Sequence, residues 1–212
     1  MHIQPSFRAR PGSGTGVPEL LSAMQPAAVS FHPADAVIYA PGEAAGPLYF
    51  VEFGCVRLLR VTADGRRQIS AFHMAGEVFG FEASGVHDSF AESVEGVGLR
   101  RLRPANPDQA AGTMLQLALR NLARTEQHLM VLGRRSAGER LAALLLDLAD
   151  RQESDGLVHL PMQRLDIADY LGLTLETVSR VLRTLKEQRM IRLRSTSDIE
   201  ILDVAALRAL CD

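Results

Sequence analysis

The chain has 212 residues, 47% hydrophobic and 23% charged, with a formal net charge of −2 at neutral pH; this length allows one large or two small domains with real cores, and the charge excludes a protein that coats nucleic acid through its overall field. Two cysteines, Cys55 and Cys211, stand far apart with no Cys-x-x-Cys, which excludes a disulfide framework and a zinc spacing. No apolar run reaches membrane-span length and the N-terminus lacks the apolar core of a secretion signal, so the expected location is the cytoplasm, with no membrane partner.

Residues 1–28 are rich in Pro, Gly, Ser and Ala and read as a flexible arm with one short helical turn near 19–24. From residue 29 the texture changes. Apolar, β-type runs at 36–39, 48–53, 55–61, 68–73 and 93–102 alternate with glycines at 42, 54, 65, 76 and 85, and Asp64-Gly65 is a hairpin signal between two of them. Short strands at this spacing predict an antiparallel β-roll over 29–106.

From 107 the pattern becomes helical. Leu115, Leu119, Leu122, Leu129 and Leu132 recur at helical spacing, widened by Met114, Leu117 and Ala118. A helix of about 20 residues spans about 30 Å, and this stripe is broad enough for two neighbours. One is the roll; the other is the same helix of a second subunit, packed as in a coiled coil. A helix buried within one subunit is the alternative. The segment 107–135 is therefore expected to be a dimerisation helix and hinge, with Leu115, Leu119, Leu122, Leu129 and Leu132 as its interface.

Ser136 with Glu139 three residues on forms a capping box that opens a helix carrying Leu141, Leu144, Leu145 and Leu148. After a polar turn at 152–156 and a short strand at 158–160 comes RLDIADYLGLTLETVSRVLR, residues 164–183. Leu165, Ile167, Ala168 and Leu171 form the inner side of one short helix. Gly172 reverses the chain. Thr174 caps a second helix with Leu175, Val178, Val181 and Leu182 inward. This is helix-turn-helix spacing, which places the second helix in a DNA major groove. Two strand patterns around 195–198 form a hairpin wing, and Asp203 caps a last short helix. Residues 136–212 thus read as a winged helix-turn-helix. Between 180 and 194 stand six basic residues (Arg180, Arg183, Lys186, Arg189, Arg192, Arg194) against one acid, Glu187, which suits a phosphate surface; the bland alternative is a solvated helix face.

Residues 176, 179 and 180 share one side of a helix. Arg180 suits guanine O6 and N7, Glu176 the cytosine amino group, and Ser179 a thymine edge. Gln163, Arg164, Thr174, Thr177, Arg183 and Lys186 are candidates for phosphate contacts.

The whole therefore reads as an α+β chain: an N-terminal antiparallel β-roll (cyclic-nucleotide-binding-like), a long dimerisation helix and a C-terminal winged helix-turn-helix. This order resembles the CRP/FNR family of bacterial transcription regulators over residues 29 to 210. The segments that carry the resemblance are SAGERLAALLLDLADR at 136–151, LPMQRLDIADYLGLTLETVSRVLRTL at 160–185 and GRRQISAFHMAGEVFGFEA at 65–83. Within the family the chain is most similar to the FixK branch, on Phe79-Gly80-Phe81-Glu82, His87 and Ala91-Glu92-Ser93. The resemblance implies a Glu-x-x-Ser-Arg recognition signature at Glu176, Ser179 and Arg180, and a homodimer on a TTGA-type inverted repeat. It further implies recognition helices about 34 Å apart, RNA polymerase as a partner, activation as the commoner role, and control of low-oxygen or nitrogen-fixation genes.

The family's effectors fit poorly. Cyclic-nucleotide binders neutralise the phosphate with an arginine followed by Ser or Thr, opposite a Gly-Glu turn. Here Gly76-Glu77 remains, but the matching stretch is Asp88-Ser89-Phe90-Ala91-Glu92, whose acids repel a phosphate. Two thiols do not supply the four ligands of a [4Fe–4S] cluster, and the places of the haem-ligating Cys and His read Gly80 and Glu82. The expectation is a regulator with no bound cofactor: no cAMP, haem, iron–sulfur cluster or metal. His73 and His87 are expected to be structural or exposed, Cys55 a core residue and Cys211 incidental. The rival readings are a regulator of the same family gated by an unidentified ligand in the roll, signalled by a pocket lined by unpaired polar groups near Glu77, Glu82 and Glu92; a cupin-like metal enzyme; and a protein-interaction module with a degenerate helix-turn-helix, against which the intact Glu176, Ser179 and Arg180 set weighs. The second needs clustered His and Glu ligands, whereas histidines 32, 73 and 87 are scattered.

Overall fold

The computed structural model describes residues 24–25, 27–105 and 107–211. Most of the expected N-terminal arm lies outside the described residues; at its end, Met24 bridges Pro104.

Among the described residues of the N-terminal half, eight strands form two four-stranded antiparallel sheets. They are β1 (Val29–His32), β2 (Val37–Tyr39), β3 (Leu48–Phe53), β4 (Cys55–Val61), β5 (Arg67–Met74), β6 (Val78–Phe79), β7 (Phe90–Ser93) and β8 (Val97–Leu102). One sheet runs in the order β1-β8-β3-β6 and the other β2-β7-β4-β5, as a β-roll. Asp64-Gly65 sits in the β4–β5 hairpin, where Gly65 N–H donates to Thr62 O. The sequence run at 93–102 divides in two: the strand ends at Ser93, and residues 94–96 turn before β8. β1, β6 and β7 carry too few alternating residues to stand out as strands by themselves.

The first four residues of β3, Leu48 to Val51, are all apolar rather than alternating, and their surroundings explain why. Tyr49 and Val51 face the roll interior with Val56, Phe79, Val97 and Leu99. Leu48 and Phe50 face the other way, into a cluster with Ala110 and Leu117 of α1 (Pro107–Leu132). A strand covered on both faces has no polar side to show. α1 correspondingly has two apolar stripes. Ala110 and Leu117 are buried against the roll, whereas Leu115, Leu119, Leu122 and Leu129 are 53–61% exposed in the single chain and Leu132 is half-buried.

α2 (Ala137–Arg151) starts at Ser136, whose hydroxyl accepts from Glu139 N–H, and buries Leu141, Leu144, Leu145 and Leu148. β9 (Leu157–His159), β10 (Ile191–Leu193) and β11 (Asp198–Ile201) form the wing sheet in the order β10-β11-β9. α3 (Arg164–Leu171) ends at Gly172, whose φ of 63° and ψ of 43° are left-handed, a conformation a Cβ would disfavour. α4 (Leu175–Glu187) follows with Thr174 as its cap, and α5 (Val204–Ala209) with Asp203.

The inner faces differ in part from the sequence reading. In α3, Ile167, Ala168 and Leu171 are buried, but Leu165 is 48% exposed and Asp166 takes a buried place. At 100° per residue, Leu165 lies about 200° around the helix from Ile167. In α4 the buried line is Val178, Leu182 and Leu185, while Leu175, on the first turn, is 42% exposed. One apolar cluster runs without a break from Cys55, Leu59, Ile69 and Phe72 of the roll into the cores of α2, α3 and α4.

Candidate nucleic-acid interface

α4 owes its orientation to its buried line. With Val178, Leu182 and Leu185 inward, the opposite edge presents Glu176, Ser179, Arg180, Arg183 and Lys186, all exposed. Thr174 accepts from Thr177 N–H at 3.2 Å and so satisfies a free donor of the first turn. Hydrogen bonds from its own backbone N–H and from the Thr174 side chain hold the Glu176 carboxyl below the usual carboxylate range. It is thus ionised and able to accept a hydrogen bond from an amino group. The Arg180 guanidinium donates to the Thr177 hydroxyl at 3.3 Å. Glu176, Ser179 and Arg180 therefore lie together on one exposed edge.

Of the phosphate-contact candidates, Gln163 and Thr174 are exposed and Thr177 half-buried. Arg164 donates to the Thr196 carbonyl at the tip of the wing, 3.0 Å away, tying the wing to the start of α3. The basic run is less free than its sequence suggests. Arg192 and Arg194 both bind the Glu200 carboxylate, at 2.8 and 2.7 Å, and the Arg194 hydrogen bond keeps Glu200 ionised. Glu200 lies outside the run and was not visible as its neutraliser. The cationic surface is thereby concentrated on α4 and its C-terminal end, where Arg183, Lys186 and Arg189 are exposed.

A cleft of about 440 Å³ separates the roll from α1 and α2, lined among others by Glu82, Asp88, Ser89, Asn121, Arg124 and His128. Several charged groups in and beside it are paired, but the buried His73 Nδ1 and Arg134 Nε on its wall make no hydrogen bond. Glu77 binds Arg124 at 3.0 Å and Arg151 at 2.9 Å, and Arg151 also donates to Phe72 O. Glu82 lies 2.9 Å from His87 Nδ1, whose ring stacks on Tyr39 at 3.6 Å. Glu92, expected beside the cleft, instead points to the other side of its sheet and binds Arg57 at 2.8 Å. Glu77, Glu82 and Glu92 are themselves paired, whereas His73 Nδ1, 3.7 Å from Glu77, is a buried polar atom of the cleft wall without a hydrogen bond, the kind of group that a ligand-gated roll would present. The residues do not fit a cyclic nucleotide: Asp88 and Glu82 are acids at the cleft, Arg60 on the same wall pairs with Asp88 at 3.6 Å, and Arg124 and Arg151 are committed to Glu77. Cys55 is fully buried, and burial pushes its thiol up. No group of three or more His, Cys, Asp or Glu among the described residues is placed to hold a metal ion, and no helix among them is long and apolar enough to cross a membrane.

A β-roll joined through a long helix to a winged helix-turn-helix with an exposed polar reading edge defines a two-domain DNA-binding regulator. Residues 29–95 match the cyclic nucleotide-binding domain and residues 139–210 the Crp-like helix-turn-helix domain. The chain is 48% identical to the nitrogen fixation regulation protein FixK of Rhizobium meliloti over 175 residues, 82% of this chain and 83% of the relative. The solved structure of FixK2 from Bradyrhizobium japonicum superposes with a TM-score of 0.80 at 37% identity, covering 89% of this chain and 98% of that one. A CRP-family transcriptional regulator from Thermus thermophilus gives 0.74 at 26% identity, over 86% and 96%. The chain belongs to the CRP/FNR family and is FixK-like; it is a transcription regulator and not an enzyme.

Proposed function

We propose that the chain acts as a homodimer that reads a TTGA-type half-site and its inverted repeat through Glu176, Ser179 and Arg180. In this reading it activates transcription together with RNA polymerase, in control of low-oxygen or nitrogen-fixation genes, and needs no bound cAMP, haem or iron–sulfur cluster. The observation that carries the reading is the exposed edge of α4: an ionised acceptor, a hydroxyl and a guanidinium on one side of a helix suit C, T and G edges in a major groove. The leucine line on α1 supports the dimer, since Leu115, Leu122 and Leu129 stand seven residues apart and lie exposed in the single chain. The pairing of Glu77 with Arg124 and Arg151, and of Glu82 with His87, supports a ligand-independent state.

Selection of bound duplexes from random DNA by the purified chain, with and without oxygen, tests the proposal. The expected product is the same TTGA…TCAA repeat in both, unchanged by added cAMP. No enriched repeat, or enrichment only without oxygen or only with cAMP, overturns it.

A further inference from the structure

The roll holds the helix-turn-helix through a charged joint that the reading of the DNA surface does not use. Arg57, on β4, is only 7% exposed, and Asp166, on α3, only 3%. The Arg57 guanidinium donates to Asp166 Oδ2 at 3.2 Å, to Glu92 Oε2 at 2.8 and 2.9 Å, and to Asp35 Oδ1 at 2.9 Å. Arg67, on β5, donates to Asp166 Oδ1 at 2.9 Å and lies 3.8 Å from Asp169. Asp166 thus accepts from two arginines of the other domain. Beside this joint the apolar contact is continuous, with the Phe72 ring 5.1 Å from Tyr170.

We propose that Arg57 and Arg67, through Asp166, are positioning residues for DNA recognition: they fix the angle at which the reading helix leaves the roll, and hence the half-site spacing that a dimer accepts. Only Leu173 and Thr174 stand between Gly172 and α4, and Val178 and Leu182 share the core of α3. Fixing α3 therefore fixes α4. The roll in turn is fixed to α1 through Leu48, Phe50 and Leu117. α1 also meets the helix-turn-helix where the His128 ring stacks on Tyr170 of α3 at 3.8 Å, and through residues 133–136, where Arg140 donates to both Arg134 O and Leu171 O; the ion pairs that hold α3, however, all come from the roll. A buried carboxylate facing two guanidinium groups is directional where an apolar contact is not. An Asp on this face of α3 would gain nothing in an isolated helix-turn-helix, where water would solvate it. Its burial makes sense only with the roll docked. The joint does by fixed charge what a ligand would otherwise do by binding: it makes one domain arrangement the populated one without an effector.

The inference rests on the dimeric, inverted-repeat reading above, and the full-length chain tests both separably. Binding is measured to the selected repeat and to repeats with the spacer one base pair longer or shorter, for the wild type, Asp166→Asn and Arg67→Gln. Arg67 is one-third exposed, so Arg67→Gln remains a folded variant even if Asp166→Asn does not. In the variants, affinity for the optimal repeat falls by about 10-fold, the spacer penalty shrinks by a similar factor, and base preference within the half-site is unchanged. Hydrogen exchange of β5 and α3 amides rises in the same variants. A folded variant that keeps the full spacer penalty and the full amide protection overturns the inference. So does one that loses half-site base preference together with the penalty, which would place Asp166 inside the reading unit. A wild type indifferent to spacing, with protection still lost in the variants, retains the joint and removes the dimeric reading.

Discussion

The Thr177 hydroxyl accepts the Arg180 guanidinium across one turn of α4, and itself lies 3.1 Å from the capping hydroxyl of Thr174. The cap, the first turn and the base-reading arginine are thus linked in one short chain. An arginine held along its helix loses less side-chain freedom when it meets a base edge. Arg180→Ala is expected to weaken binding to the selected repeat by about 1–3 kcal/mol and to flatten preference at a single G·C pair. Thr177→Val, which keeps the shape and removes the acceptor, is expected to cost less, about 0.5–1.5 kcal/mol. Titration against every single-base variant of the half-site checks both. An Arg180→Ala protein with undiminished preference at that pair removes Arg180 from base reading.

The exposed line of α1 makes a separate prediction. Leu122 and Leu129 are 53% and 61% exposed, so a charge there disturbs little within one chain but would be buried in a coiled coil, at a cost of several kcal/mol. Leu122→Glu with Leu129→Glu is expected to give a folded monomer with a wild-type thermal transition and a much weaker hold on the repeat. Sedimentation velocity decides: a dimer that persists in the double variant places the interface elsewhere. Leu117→Glu is the contrasting case, because Leu117 is buried against Phe50 and Leu48; it is expected to unfold the roll rather than merely split the dimer.

The readable parts of the sequence were those in which one residue type has one physical use. Gly172 at a left-handed position, Ser136, Thr174 and Asp203 as caps, and Asp64-Gly65 in a hairpin are all local chemistry, and each stands where its segment required it. The edge bearing Glu176, Ser179 and Arg180 was legible because the family's recognition signature falls on these three and helical spacing puts them on one side. What depends on distant partners was not legible. Asp166 lies 99 residues from Arg67 and 109 from Arg57, and nothing in LDIAD marks the Asp rather than the Leu as buried. Glu92 read as a wall of the cleft, but strand parity turns it to the opposite face, toward Arg57. Arg124 and Arg151 reach Glu77 from two different helices, so a search for an arginine near the Gly-Glu turn in sequence misses both.

His73 gives the chain a pH dependence whose sign can be worked out. Its ring is buried against Phe79, and burial pushes its pKa from the ordinary 6.5 down to about 4, against the opposing pull of Glu77 at 3.7 Å and with the help of Arg151 and Arg124. Between those values the unfolded chain holds a proton that the folded one does not. The contribution of neutral His73 to stability is therefore complete above about pH 6.5 and is lost progressively as the pH falls toward 4. A span of that size corresponds to about 3 kcal/mol, enough to lower the melting temperature measurably in this range. His32 and His128 are also lowered by burial, so the informative quantity is a difference: His73→Gln is expected to show a shallower decline between pH 6.5 and 4 than the wild type when thermal unfolding is followed across the series. Because Glu77 lies between His73 and both Arg124 and Arg151, a proton on His73 also competes for the carboxylate that joins the roll to α1 and α2. Protection of the β5 amides should then fall with pH in step with the melting temperature. An identical slope in wild type and variant places the acid sensitivity in another group.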